Sequence, residues 1–461
     1  MSSRLTWGPT YEEMLNPDKI DGSIRKKATE AFRSLPLDPI NLYNISWKDE
    51  LDQIRYLVLP KELTGVDATI VALVGVDLPT GSHKVGATYS VTMEAQLDGG
   101  ITPGQSVLVF PSTGNYGIGG AWVGPRMGYE TLVVLPELMS RERFEKIESY
   151  GAKYIKTTGC ESSVKEIYDK CNELRKDPRV RILNQFEVMA NYRFHYYVTG
   201  NTVMELVRDL ERAGIGKGRC SAFVSAMGSS GTIAAGDRVK QACPEAKTIG
   251  LEPIQCPTLY NNGYGDHDIQ GIGDKHVTWI HNVMNMDALI CVDDMKSKMG
   301  LQLLTQPEGM DYLVGKAGLG VELVERFSTA FGISGVCNLL GAIKTAKFYR
   351  MDSTDVIVTV LTDGIDRYRS IMTDMEQRFG RLDDAKSGLR LGIFHDAATD
   401  FVQEGTVLNR DRWFNLKYYT WVEQQGKTVA ELDAQRSALW WESEQAKVLE
   451  VDKRLEQARI G

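Results

Sequence analysis

Lys84 is the first residue with a chemical prospect: in PTGSHKVGATYS, residues 79–90, it follows a Pro/Gly/Ser turn and stands where a helix would begin. A helix N-terminus and partial desolvation both depress an amine pKa, as a Schiff-base lysine requires, whereas a lysine taken alone reads as a solvated surface charge. A second stretch, FPSTGNYGIGGAW at 110–122, runs from an apolar strand into a Gly-rich turn. There the Gly114-x-x-Gly117 spacing lets backbone N–H groups converge beside the short amide of Asn115. Such a turn can seat an anion, and by itself it reads equally as an ordinary strand-to-helix connection. The third stretch, AFVSAMGSSGTIAAG at 222–236, ends a buried strand in Gly228, Ser229, Ser230, Gly231 and Thr232 ahead of a helix. Amides, hydroxyls and a positive helix end suit a phosphate dianion. The loop has neither the GxGxxG of dinucleotide binders nor the Gly-Lys-Ser/Thr ending of nucleoside triphosphatases, so a single phosphate fits best.

These residues need a scaffold, and short β-branched runs provide one: SVLVF (106–110), TLVVL (131–135), AFVSA (222–226), TIGLE (248–252) and VIVTVL (356–361) read as buried parallel strands. Amphipathic stretches such as 137–150 and 201–213 lie between them, which predicts an α/β architecture with helices on both sheet faces. A chain of 461 residues exceeds a single core. The expected layout is an N-terminal extension (1–50), a first lobe with the lysine (51–200), a second with the phosphate loop (201–378), and a C-terminal helical extension (379–461). A capping box, Thr428 to Glu431, and heptad-spaced Leu432, Leu439 and Ala446 beside Trp440 and Trp441 predict a long terminal helix. Its face of Leu, Ala and Trp is expected either to join subunits or to cover the same chain. A net charge of −8 disfavours nucleic acid. Seven scattered cysteines without a C-x-x-C pair point to free thiols in a reducing cytoplasm, with no structural zinc. The N-terminus has no signal-peptide core, and apolar runs such as 356–361 are too short to span a bilayer.

Taken in order, the lysine, the Ser-Thr-Gly-Asn turn and the phosphate loop resemble fold-type II pyridoxal 5'-phosphate (PLP) enzymes. The similarity is greatest to the cysteine synthase and cystathionine β-synthase branch, from about residue 60 to 375. Landmarks between the motifs match as well: PELMSRERFEKIESYGAKYIKTTG (136–159), NQFEVMANYRFHYYVTG (184–200) and IQGIGD (269–274). The resemblance implies a two-lobed, tryptophan synthase β-like fold with PLP between the lobes. It implies that Lys84 forms the internal Schiff base and later takes the substrate Cα proton, and that Asn115 meets the cofactor 3-hydroxyl. Ser112, Thr113, Gly114, Tyr116 and Gln185 would surround the substrate carboxylate, and Gly228, Ser229, Ser230, Gly231 and Thr232 the phosphate. Ser334, in FGISG (331–335), would face the pyridine nitrogen. A carboxylate about 3 Å from a pyridinium would favour its protonation by roughly 5 kcal/mol at an effective dielectric near 20, and a neutral hydroxyl far less. The ring is then expected to stay largely unprotonated, which favours prompt loss of a β-leaving group over transamination or racemisation.

The implied activity is β-replacement or β-elimination on a small L-amino acid such as O-acetylserine, serine or cysteine, through an aminoacrylate intermediate. A thiol, sulfide or water completes the reaction, both outcomes stay open, and a homodimer is the expected assembly. PTGSHK is closer to the tryptophan synthase β-subunit, so His83 either approaches the phosphate or serves as a core histidine. Ser112 stands where that family carries an acidic residue, however, and its phosphate loop is not of the GSSGT kind. The IQGIG and NQF landmarks place threonine synthase or dehydratase chemistry lower. A non-catalytic PLP-fold scaffold is the competing class, opposed by the presence of Lys84. Histidines 195, 267, 276, 281 and 395 lack metal-ligand spacing, so no metal is expected. No cationic residue lies in the matched substrate motifs, which disfavours dicarboxylic or phosphorylated substrates.

Overall fold

The chain is described by a computed structural model covering residues 6–112, 114–159 and 163–460. Its apolar runs form strands β1 Tyr56–Leu59, β2 Thr69–Val74, β3 Val107–Pro111, β4 Glu130–Pro136, β5 Lys153–Thr157, β6 Val180–Ile182, β7 Ala222–Ala226, β8 Lys247–Pro253, β9 Ala288–Val292, β10 Val356–Leu361 and β11 Val402–Glu404. Two sheets result. The smaller has the order β5-β4-β3-β6 and is parallel throughout. The larger has the order β1-β2-β10-β7-β8-β9-β11, parallel inside, with β1 and β11 added antiparallel at its two edges. Every residue of β9 and β10 is buried, as expected for strands covered by helices on both faces.

The division expected at residue 200 falls between β6 of the smaller sheet and β7 of the larger, but the expected first lobe, 51–200, is not a single sheet. β1 and β2, expected in the first lobe, pair in the larger sheet, where Val71 of β2 is partnered by Val358 of β10. The run TIVALV is buried from its second residue onward and needs a neighbour on each edge. It finds β1 locally and β10 from the far end of the chain. The smaller sheet is therefore an insertion between β2 and β7.

The C-terminal extension also departs from the sequence reading. It contributes β11, whose Val402 pairs with Ile290 of β9, and its final helical region is two helices, Val429–Ala434 and Ala438–Ile460. The capping box at Thr428 is present. The heptad is not carried across the break: Leu439 is 73 % exposed, and the inward face is instead Trp441, Glu444, Gln445, Val448, Val451, Asp452 and Leu455. That face packs on the helices Tyr11–Leu15, Lys84–Leu97 and Met189–Phe194, so the extension covers its own chain. Ionic groups fasten it: buried Arg193 lies between Glu94 and Glu444, its Nη1 donating to Glu444 at 2.7 Å. Asp452 accepts the backbone N–H groups of Tyr11 and Glu12 at 2.7 and 2.9 Å. Among the described residues no single helix is long and apolar enough to cross a membrane.

Each motif turn leaves the carboxyl end of a parallel strand: the lysine segment follows β2, the Ser112 turn β3 and the Gly228 loop β7. Open α/β sheets gather their sites at that edge.

Candidate active site

Lys84 opens the helix Lys84–Leu97, and its side chain is buried. Close packing requires the glycine two residues on, since a Cβ at Gly86 would lie 2.0 Å from the Phe194 ring. The Lys84 Nζ donates to Ser229 Oγ at 3.1 Å, across the gap to the β7 loop. Desolvation pulls the Lys84 pKa down to about 8 even though Asp274 acts in the opposite direction. His83 is a neutral core histidine that also reaches the Gly-rich loop: its Nε2 lies 3.0 Å from Thr232 Oγ1. Burial, with Lys84 adding to it, lowers its pKa to about 3, while Trp47 and His195 pack against the ring.

The β7 loop is built for close approach. Ser230 has a φ of 60°, and a Cβ at Gly231 would fall 2.1 Å from Asn191 Oδ1. Asn191 Nδ2 in turn donates to Gln185 O at 2.9 Å and to Ser229 Oγ at 3.0 Å. Gly228 faces the segment containing Gly271 and Ile272, and Thr278 Oγ1 donates to Ser229 O at 3.0 Å. Helix follows directly from Thr232. This is a glycine-rich cradle at a positive helix end, with hydroxyls at Ser229, Ser230 and Thr232. On the helix Ile333–Phe348, Ser334 is buried and its Oγ has no hydrogen-bond partner among the described residues.

The turn after β3 differs in detail from the sequence reading. Ser112 Oγ accepts the N–H groups of Gly114 (2.9 Å) and Gly117 (2.8 Å), so it shapes the start of the helix Asn115–Arg126 and keeps its O–H as a donor. Tyr116 turns its hydroxyl away, donating to Leu183 O at 3.1 Å while its ring packs on Phe110. Gln185 is buried, and its backbone carbonyl accepts from Asn191 Nδ2. Thr113 lies outside the described residues, as does Cys160; the other six cysteines are free.

A charged network missed from sequence lies against this turn. Asn115 Nδ2 donates to Asp363 Oδ2 at 2.7 Å, and Asn115 Oδ1 accepts from Arg367 Nε at 2.6 Å. Arg143, fully buried, donates to Gln270 Oε1 and to Tyr368 Oη, each at 3.0 Å, and Tyr368 donates to Asp363 at 2.8 Å. A Cβ at Gly114 would lie 2.1 Å from the Arg143 guanidinium, so only glycine lets the arginine beneath the turn. Arg143 belongs to the RERFEK landmark, and Asp363, Arg367 and Tyr368 to TDGIDRY after β10, but neither stretch announces that the two meet.

Comparison with known proteins places the chain among relatives. The profile of the family described as "Pyridoxal-phosphate dependent enzyme" matches residues 75–363. The chain is 31% identical over 294 residues to a probable cysteine synthase of Bacillus subtilis, covering 63% of this chain and 85% of that protein. It is 29% identical over 328 residues to a cystathionine beta-synthase of Saccharomyces cerevisiae, covering 69% of this chain and 60% of the other. Among solved structures, a hydrogen sulfide-producing enzyme from Fusobacterium nucleatum superposes with a TM-score of 0.55 at 26% identity, over 70% of this chain and 88% of that one.

Proposed function

We propose, from the premise that this chain belongs to the pyridoxal-phosphate-dependent enzyme family, that its site performs β-replacement or β-elimination on a small L-amino acid, as a cysteine synthase-like enzyme. The observation that carries the reading is a buried lysine at a helix start, its Nζ bonded to the hydroxyl of a glycine-rich cradle and its pKa pulled down to about 8. An amine desolvated in this way is suited to Schiff-base and proton-transfer work.

The residues present fit PLP. Ser334 Oγ is a buried hydroxyl lacking a partner among the described residues, suited to a pyridine nitrogen. The Gly228–Thr232 loop offers amides, hydroxyls and a helix start to a phosphate, with Gly231 kept free of a side chain by Asn191. The Asn115 amide spends one N–H on Asp363 and keeps the other for the 3-oxygen. When bound, PLP supplies an electron sink that lets an amino acid lose its Cα proton and then its β-substituent.

The protein's own contributions follow. Lys84 Nζ would hold the cofactor through its aldehyde carbon, and as a free neutral amine it would take the Cα proton. Burial shifts the Lys84 amine toward that neutral form. The start of the helix Asn115–Arg126 offers its positive end to the substrate α-carboxylate. Arg143 and Arg367 hold Asn115 in place and are themselves engaged, so they do not offer a second carboxylate site. A neutral Ser334 opposite the ring nitrogen would keep the electron sink moderate, which would favour departure of a β-group over reprotonation at Cα.

A homodimer in the cytoplasm belongs to the same proposal, supported by the exposed Leu35 and Leu37 on the N-terminal segment and by the free cysteines. Light scattering reads the subunit count. The activity is tested with a panel of β-substituted alanines and homoserine derivatives, assayed for pyruvate and sulfide release and for sulfide incorporation. Turnover of O-acetylserine, serine or cysteine is expected. Turnover confined to γ-substituted substrates or threonine would overturn the β-substituent reading.

A further inference from the structure

Asp274 ends the IQGIGD segment and has no part in the site as described so far. It is 6% exposed, and among the described residues neither carboxyl oxygen has a hydrogen-bond partner. Its backbone is fixed on both sides. Gly273 N donates at 2.8 Å to the carbonyl of Met227, the residue before the glycine-rich cradle, and Thr258 Oγ1 donates to Asp274 O at 2.9 Å. Four residues beyond Asp274, Thr278 is bonded to Ser229, the residue whose hydroxyl holds Lys84 Nζ. The carboxyl is thereby held in the electrostatic reach of Lys84, and the other titratable groups facing it are Tyr168 of the helix Val164–Leu174 and Cys256 of the loop after β8. Burial raises its pKa to about 7, with Lys84 pulling the other way, so the group can both give and take a proton near neutrality.

We propose that Asp274 is a second proton carrier of this site, one that protonates the β-leaving group, and that it fits the chain to substrates of the serine or cysteine type. This rests on the β-elimination or β-replacement reading above. Hydroxide and hydrosulfide leave poorly as anions, whereas acetate leaves without help. With serine, the Cα proton goes to Lys84 Nζ and the Cβ–O bond breaks with its electron pair on oxygen. The Asp274 proton joins that oxygen, and water departs. The carboxylate left behind faces the Lys84 ammonium. In replacement, the carboxylate takes the proton of an incoming thiol as its sulfur bonds to Cβ, which restores the carboxyl. In elimination, solvent restores it.

The test compares kcat/KM for serine with kcat/KM for O-acetylserine in the wild-type holoenzyme and in Asp274→Asn. The serine to O-acetylserine ratio is expected to fall about a hundredfold or more in the variant. In the wild type the same ratio should drop as pH rises through about 7, and in the variant it should be flat. Asp274→Glu, which keeps the carboxyl, should recover part of the ratio. A ratio unchanged by Asp274→Asn, or a wild-type ratio independent of pH, overturns the proposal, and the second result does so even if the variant fails to fold. A readout without turnover is infrared difference spectroscopy of the apo protein, wild type minus Asp274→Asn. A buried protonated carboxyl band that disappears as pH rises through about 7 is expected, and its absence at pH 5 overturns the proposal. If O-acetylserine turns over while the ratio ignores Asp274, only this inference falls. If no β-substituted alanine reacts at all, the underlying reading falls first.

Discussion

Gly231→Ala is a small change with a large expected effect on cofactor binding. Gly231 has a φ of −65°, which any residue adopts, so backbone strain does not enter. The cost is steric: the new Cβ would stand 2.1 Å from Asn191 Oδ1 and 2.8 Å from its Cγ. In the apo protein the loop or the Asn191 amide can shift to relieve the overlap. Holding a phosphate requires the loop back in place, which breaks the Asn191 bonds to Gln185 O (2.9 Å) and Ser229 Oγ (3.0 Å). Two buried hydrogen bonds, with their groups left unpaired, amount to roughly 2–3 kcal/mol. PLP should therefore bind about 30- to 150-fold more weakly. The assay is titration of apo protein with PLP, followed by the absorbance of bound cofactor. A double-mutant cycle identifies the cause: in an Asn191→Ala background the added effect of Gly231→Ala should shrink to about threefold or less. An unchanged dissociation constant for Gly231→Ala alone, or a full effect in the Asn191→Ala background, would refute the steric reasoning.

Other expectations follow from the same geometry. Ser334→Ala removes a buried hydroxyl that has no partner among the described residues, so the apo protein should unfold at the same or slightly higher urea concentration, with stability unchanged or raised by about 1 kcal/mol. Loss of apo stability would mean that this hydroxyl has a structural partner. Lys84 titrates near 8 and reacts as the neutral amine, so the rate of PLP capture by apo protein should climb about tenfold per pH unit below 8 and level off above it. A rate still climbing at about pH 10 would indicate a solvated lysine. Arg193→Met leaves Glu94 and Glu444 buried without their common partner and should destabilise the fold by about 3–5 kcal/mol in urea unfolding. Truncation at Gly426 uncovers the partners of the helix Ala438–Ile460 and should lower thermal stability while leaving the subunit count seen by light scattering unchanged.

How much was legible in the sequence depended on the range of the interactions. AFVSA and VIVTVL are β7 and β10 residue for residue, because a buried parallel strand is written in consecutive apolar residues. The capping box at Thr428 is equally local and appears as read. The heptad fails at Leu439 because its phase holds only along one continuous helix, and residues 435–437 interrupt it. The partner of β2 was not legible, since strand pairing with β10 depends on topology and not on any feature of TIVALV. Within the site, Lys84, the Gly228–Thr232 loop and Ser334 stand out as motifs. The Arg143, Asp363 and Tyr368 network does not, because its members are brought to Asn115 and Gln270 from positions 127 to 248 residues apart. Ser112 and Tyr116 lie in the right turn, but which way a hydroxyl points is decided by neighbours such as Gly117 N and Leu183 O, which their types do not reveal.

The measurement that bears most directly on the central claim is reduction of the PLP-loaded protein with borohydride, followed by proteolysis and mass mapping of the pyridoxyl group. The account predicts a single label on Lys84 and its loss in Lys84→Ala. A label on any other lysine, or no label on protein that shows the absorbance of bound cofactor, would contradict it.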